Sequence, residues 1–220
     1  MVATHVFTPF SFFFTQKRHR NIMDKYLAEL KFSFGKHGSW ALWDKNGSID
    51  KILQNKDFKS LIKPNIIFIG LNASYDLRNV TDWANYHFIK DKKNSSWKRE
   101  PCRKLAEVIS EPEFADLNGG YMTDIVKTKY DPNSGDLMKA IKKDVSIIME
   151  NKKLLKQELE LLSKISKADD FQIICIGNES FNIVNQLVKK DVYKVYHYAN
   201  YGEQKVKERM RQDLRNILKQ

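Results

Sequence analysis

Short β-rich apolar runs alternate with stretches in which apolar residues recur at helical spacing, and this alternation constrains the fold more than any other feature of the chain. The runs are residues 65–69, 120–126, 171–176 and 192–198, each of strand length. Between them, Cys102, Leu105, Ala106 and Ile109 fall at i, i+3, i+4 and i+7. Leu154, Leu155, Leu159, Leu162 and Ile165 form a second helical stripe, and Ile183, Val184 and Leu187 a third after Gly177. A basic helix is expected from about Glu203 to Lys219. The succession predicts an α/β fold, a three-layer α/β/α sandwich over a mostly parallel, four-stranded central sheet.

At 220 residues the chain suits one domain, expected over 23–220, with residues 1–22 a disordered leader ahead of the helix start at Met23. The leader contains Pro9 and lacks the charged n-region and small-residue cleavage site of a secretory signal. Cys102 and Cys175 stand alone in apolar surroundings, with no CxxC pair or disulfide framework, which fits a reducing, cytoplasmic setting. No window approaches the roughly 18 apolar residues of a membrane span, so no membrane partner is expected. No GxxxxGK[ST], GxGxxG or HExxH motif is present, which disfavours nucleoside triphosphatase, dehydrogenase and zincin chemistry. No cofactor and no metal are expected, and the chain reads as a monomer. A net charge of +11 biases it toward polyanions through release of phosphate counterions.

In parallel sheets, ligands gather beyond the carboxyl ends of the strands. The residues expected there are Gly70, Leu71 and Asn72; Thr123 and Asp124 with Lys127; Gly177 and Asn178; and His197 with Asn200 and Tyr201. Each has a plainer reading: Asn72 as a turn or helix cap, His197 as a satisfied histidine on a strand, and Asp124 as a partner of Lys127.

Four segments in order resemble the uracil-DNA glycosylase superfamily, a likeness running from about Ile66 to Tyr201. "FIGLNAS" is similar to the family's strand ending in Gly-x-Asn-Pro-Gly, and "YMTDIVKT" to its Thr-Asn-x-Val-Lys strand end. "IICIGNESFNIV" resembles the strand-to-helix turn with Leu-Gly-x-x-Ala, and "YHYANYG" the late His-Pro-Ser motif. The resemblance implies hydrolysis of an N-glycosidic bond in DNA, as in base-excision repair. Asn72 would orient a water through its amide oxygen, and His197 would donate to the anionic oxygen that develops on the departing base. It further implies a base pocket from Gly70, Leu71, Asp124, Tyr86, Phe88 and Asn200, with Ser74, Lys127, Lys129 and Tyr201 against nucleic acid. Trp83 competes with Tyr86 and Phe88 for the role of stacking aromatic, and any of the three also fits a core.

Asp124 stands where the uracil-reading members carry Asn. An ionised carboxylate has no donor for uracil O4, so the site either favours a base edge presenting donors or holds Asp124 protonated by burial, in which form it mimics the amide. The Pro residues of two motifs are replaced by Ala73 and Tyr198. The alternative is therefore a non-catalytic member of the same fold that binds nucleic acid or a nucleobase. Lys207, Arg211 and Arg215 recur every four residues and predict one basic helical face, with Lys98, Arg99, Arg103 and Lys104 opening an earlier helix. "KHGSWALWDKNGS" at 36–48 reads chiefly as buried tryptophan packing.

Overall fold

The computed structural model describes the backbone of residues 9–43, 54–74, 76–78, 80–87, 89–90, 97–98, 100–188 and 190–219, and the side chains of all these except 9–21, 89–90, 97–98 and 100–101. Helix α1 (Pro9–Phe34) is the first element of the described residues, so residues 9–22, expected to belong to a leader, form the first part of a helix, with Pro at the first position, where the N–H it lacks would have no intrahelical partner. Residues 1–8 lie outside the described residues.

Strand β1 (Ser39–Trp40) and the short α2 (Phe58–Leu61) precede β2 (Lys63–Asn72), and a two-residue pair, β3 (Ile89–Lys90) with β4 (Trp97–Lys98), forms a separate small sheet. Then follow α3 (Glu100–Ile109), β5 (Gly120–Val126), α4 (Ser134–Lys143), α5 (Ser146–Ser166), β6 (Gln172–Ile176), α6 (Asn178–Leu187), β7 (Val192–Val195) and α7 (Glu203–Leu218). The described residues thus make an α/β protein with a five-stranded mixed sheet, ordered β1-β5-β2-β6-β7. Strands β5, β2, β6 and β7 are mutually parallel and β1 runs antiparallel along β5, Ser39 opposite Met122 and Trp40 opposite Tyr121.

The expected count of four strands is corrected to five. β1 is two residues long, too short to show a period of two, and it exists only because the edge of β5 offers unpaired backbone groups to it.

β2 is central, and a run such as Ile66-Ile67-Phe68-Ile69 is what a strand buried on both faces requires. Its alternating side chains enter two separate cores. Ile67, Ile69 and Leu71 join Leu30 of α1 and Leu155 and Leu162 of α5 on one face. Ile66 and Phe68 join Leu105 of α3 and Met210 and Leu214 of α7 on the other. The α5 stripe is as the sequence spacing predicts, and the helix stops at Lys167 in a left-handed conformation.

Winding reverses at β2: the chain next lays down β5 on one side of it, then returns to build β6 and β7 on the other. The carboxyl ends of β2 and β6 therefore diverge into loops that leave in opposite directions, and a crevice opens between them. No helix among the described residues is long and apolar enough to cross a membrane.

Candidate functional site

The crevice holds a cavity of about 1040 Å³. Gly70, Leu71 and Asn72 reach it from the end of β2, Asp124 from β5, Gly177 from the end of β6, and His197 and Asn200 from the loop after β7. Ser74 and Tyr86 also line it. β7 ends at Val195 rather than at Tyr198: the Tyr196 N–H donates to Asp213 Oδ2 of α7 at 2.9 Å, so His197 sits in a loop, not on an alternating strand.

Asn72 is oriented by its neighbours. Its Nδ2 donates to Ala73 O at 2.8 Å and to Asp131 O at 2.9 Å, and since carbonyls only accept, the atom facing them must be the amide nitrogen. The Oδ1 is thereby left as the acceptor that this side chain offers.

His197 is fixed in one tautomer. The Ala199 N–H donates to its Nδ1 at 3.1 Å, so the proton of the neutral ring belongs on Nε2. Burial lowers its pKa below the usual histidine value, with Glu179 opposing the effect more weakly, and the neutral form is favoured. Gly177 makes room for the ring: with φ +92° and ψ 174° it occupies a region nearly exclusive to glycine, and a Cβ there would stand 2.9 Å from His197 Cδ2. Tyr198 lies against the imidazole, ring centres 4.8 Å apart.

Asp124 is buried and sits in register with Gly70 of β2. Tyr86 Oη donates to its Oδ1 and Asn85 Nδ2 to its Oδ2, the latter at 3.1 Å; Tyr86 Oη is also 2.8 Å from Thr123 O. Gly70 is what permits this approach, because a side chain there would collide with Tyr86 Oη and Asp124 Oδ1 together. Burial, then the Asp124 charge, pushes the Tyr86 phenol well above its usual pKa, so it remains a donor. Tyr86 has φ +67° and Trp83 φ +62°, conformations that cost about 1–3 kcal/mol each for bulky residues and persist only where surrounding contacts impose them. Asn85 is buried, and sequence reasoning missed it; it belongs to no periodic segment that could have marked it.

Several expected contributors lie elsewhere. Lys127 is corrected from a nucleic-acid contact to a buried cation: its side chain is 2% exposed and its Nζ pairs with Glu158 Oε2 at 2.9 Å. It does not pair with the Asp124 carboxylate; its Nζ donates instead to the Asp124 backbone oxygen. Lys129 lines a separate cavity of about 210 Å³ that shares Ala73 with the first. Tyr201 is fully exposed and does not line the cavity. Trp83 packs edge-on against Trp40 at 6.1 Å and beside Phe58 at 5.7 Å, which makes it core rather than a stacking platform. Trp40 is wholly buried as well, in line with the packing reading of its segment. Phe88 and residues 44–48 lie outside the described residues.

The basic face of α7 forms but is neutralised within the fold. Arg211 grips Glu111 through Nε and Nη2 at 2.7–3.0 Å, and Arg215 grips Glu113 at 2.8 Å. Lys207 pairs with Glu107 and Glu203, and Arg103 of α3 with the same two carboxylates. Hydrogen bonds from Lys207 and Arg103 lower the Glu203 carboxyl to about 2. Among the described residues no group of three or more His, Cys, Asp or Glu side chains is placed to hold a metal ion.

No family model, curated protein or solved structure matches this chain.

Proposed function

We propose that the protein is a DNA-base glycosylase of the uracil-DNA glycosylase-like type, with a three-layer α/β/α architecture, acting on a deaminated or damaged base. The observation that carries this reading is the meeting of Asn72, Asp124 and His197, from three distant segments, on one cavity. Breaking the glycosidic bond sends its electron pair onto the base and leaves positive charge on the sugar. The Nε2–H of neutral His197 suits an oxygen that gains negative charge as the base departs. The Oδ1 of Asn72 suits a water that adds to the sugar carbon and releases its proton to solvent, since an amide orients but does not take the proton. Asp124, already accepting from Tyr86 and Asn85, opposes a carbonyl and favours a base edge that presents N–H groups.

Oligonucleotides carrying uracil, hypoxanthine or xanthine, single- and double-stranded, test the reading after alkaline cleavage of abasic sites. Strand breaks that vanish in Asn72→Ala and His197→Ala are expected, and their absence from the native protein on every substrate would overturn catalysis.

One observation favours a second reading, a non-catalytic binder of a free nucleobase: Lys127, Lys207, Arg211 and Arg215, which a nucleic-acid backbone would need, are all engaged by internal carboxylates. Saturable binding of a free base without strand breaks would select it.

A further inference from the structure

The smaller cavity, of about 210 Å³, lies beside the one already described and shares Ala73 with it. Three segments close around it: Lys36 and His37 just after α1, Asp76 to Arg78 in the loop after β2, and Lys127 to Tyr130 after β5. Its volume falls below the roughly 300–1,000 Å³ of pockets that take drug-sized organic ligands, yet it is several times the share of one water, about 30 Å³. Such a space suits a small ion.

The sign of that ion follows from the lining. Lys36, Arg78 and Lys129 bring positive charge to it, and Asp76 is the one carboxylate among the lining residues. Asp76 is already engaged. Arg78 holds it through Nε at 2.6 Å, through Nη2 and through its backbone N–H at 2.9 Å, and these hydrogen bonds, with a weaker one from Tyr130, keep its carboxyl below the usual range. Lys36 pairs with Asp82 at 3.2 Å, and Lys127 is answered by Glu158 on the side of the sheet. Lys129 differs from both: it is half-buried, and among the described residues its side chain has neither an ion pair nor a hydrogen bond. An ammonium partly withdrawn from water is costly unless an anion meets it. His37 experiences the same field. Burial first, then the charge of Lys127, lower its pKa to about 4, so at neutral pH the ring is uncharged and has one N–H to offer.

We propose that this second cavity binds a phosphate oxyanion, met by the unpartnered Lys129 and flanked by His37, Lys36 and Arg78. The site stands apart from the proposed function, since inorganic phosphate alone is enough to fill it. Because Ala73 lines both cavities, the oxyanion sits beside whatever occupies the larger one. A free phosphate and a phosphodiester of a strand whose base enters the larger cavity present the same charged oxygens to Lys129. The strand source is the one that rests on the proposed function.

Histidine NMR of the unmodified protein reads the site directly. In chloride, His37 should change charge at about pH 4. In inorganic phosphate at the same ionic strength, an anion beside the ring should raise that midpoint saturably by about one pH unit or more, while His197 stays where it was. Lys129→Met should remove the rise and Lys129→Arg should keep it. An unmoved His37 midpoint, a rise that never saturates or that His197 shares, or the full rise in Lys129→Met overturns the proposal. Single-stranded oligothymidylate, which offers phosphodiesters and no damaged base, separates the two sources. A rise at strand concentrations at least tenfold below those of inorganic phosphate supports the site as one for a strand, and a rise with inorganic phosphate alone supports it as one for a free oxyanion. Neither readout needs a glycosidic bond to break, so an absence of strand breaks counts against the proposed function alone.

Discussion

Lys127 Nζ and Glu158 Oε2 meet at 2.9 Å with both side chains shut away from solvent, 2% and 0% exposed. The other carboxylate oxygen accepts from Tyr121 Oη at 2.7 Å and Thr123 Oγ1 at 2.9 Å, and Asn151 Oδ1 takes the Lys127 N–H at 2.6 Å. α5 is thereby fastened to the far end of β5, directly behind Asp124. Removing one charge leaves the other buried without a counterion. Lys127→Met should cost about 3–5 kcal/mol, whereas Lys127→Met with Glu158→Gln should recover much of it. Urea unfolding of the two variants measures the difference; equal losses would show that the pair is not coupled.

Asn72 makes a second prediction, of sign rather than size alone. Aspartate in its place would set a carboxylate against the two carbonyls that now accept from the amide, costing about 1–3 kcal/mol at pH 7. Those carbonyls favour a protonated carboxyl, so its pKa in the folded state rises above the unfolded value. Folding then binds a proton, and the loss should shrink as pH falls from 7 to 5, the reverse of ordinary acid destabilisation. Urea midpoints of Asn72→Asp relative to the native protein at both pH values check this.

His37 supplies the opposite case. Burial, reinforced by the Lys127 charge, lowers its pKa to about 4. Between the unfolded value near 6.5 and about 4 the unfolded chain binds more protons than the folded one, so stability falls as pH drops through that window. The loss should be on the order of 2 kcal/mol, allowing for the part of the ring that solvent reaches, and His37→Gln should flatten the decline. Thermal melts from pH 7 to pH 4 read it directly.

Gly177→Ala should harm the site as well as the fold. The new methyl meets His197 Cδ2 and demands a backbone conformation that alanine avoids, at a cost of about 1–3 kcal/mol. With the ring displaced from the Ala199 N–H, the fixed tautomer goes too. Histidine NMR should show His197 titrating closer to its ordinary value, and an unchanged His197 signal would deny Gly177 this role.

The sequence alone carried the parallel strands β2, β5, β6 and β7, the α5 and α7 helices and the rim on which Gly70, Asn72, Asp124 and His197 stand, because burial on both faces writes a short apolar run into a strand and burial on one face writes a helical period into a helix. Tertiary structure decided what no period records. β1 came from an open sheet edge, and the true surroundings of Asp124 came from a loop whose Asn85 and His87 look, in sequence, like ordinary polar residues. The charges of Arg211 and Lys127 read as a basic surface until carboxylates 100 and 31 positions away closed on them. Local spacing reports which face a side chain occupies, whereas charge pairing and close approach depend on which distant segments the packed core brings within a few ångströms.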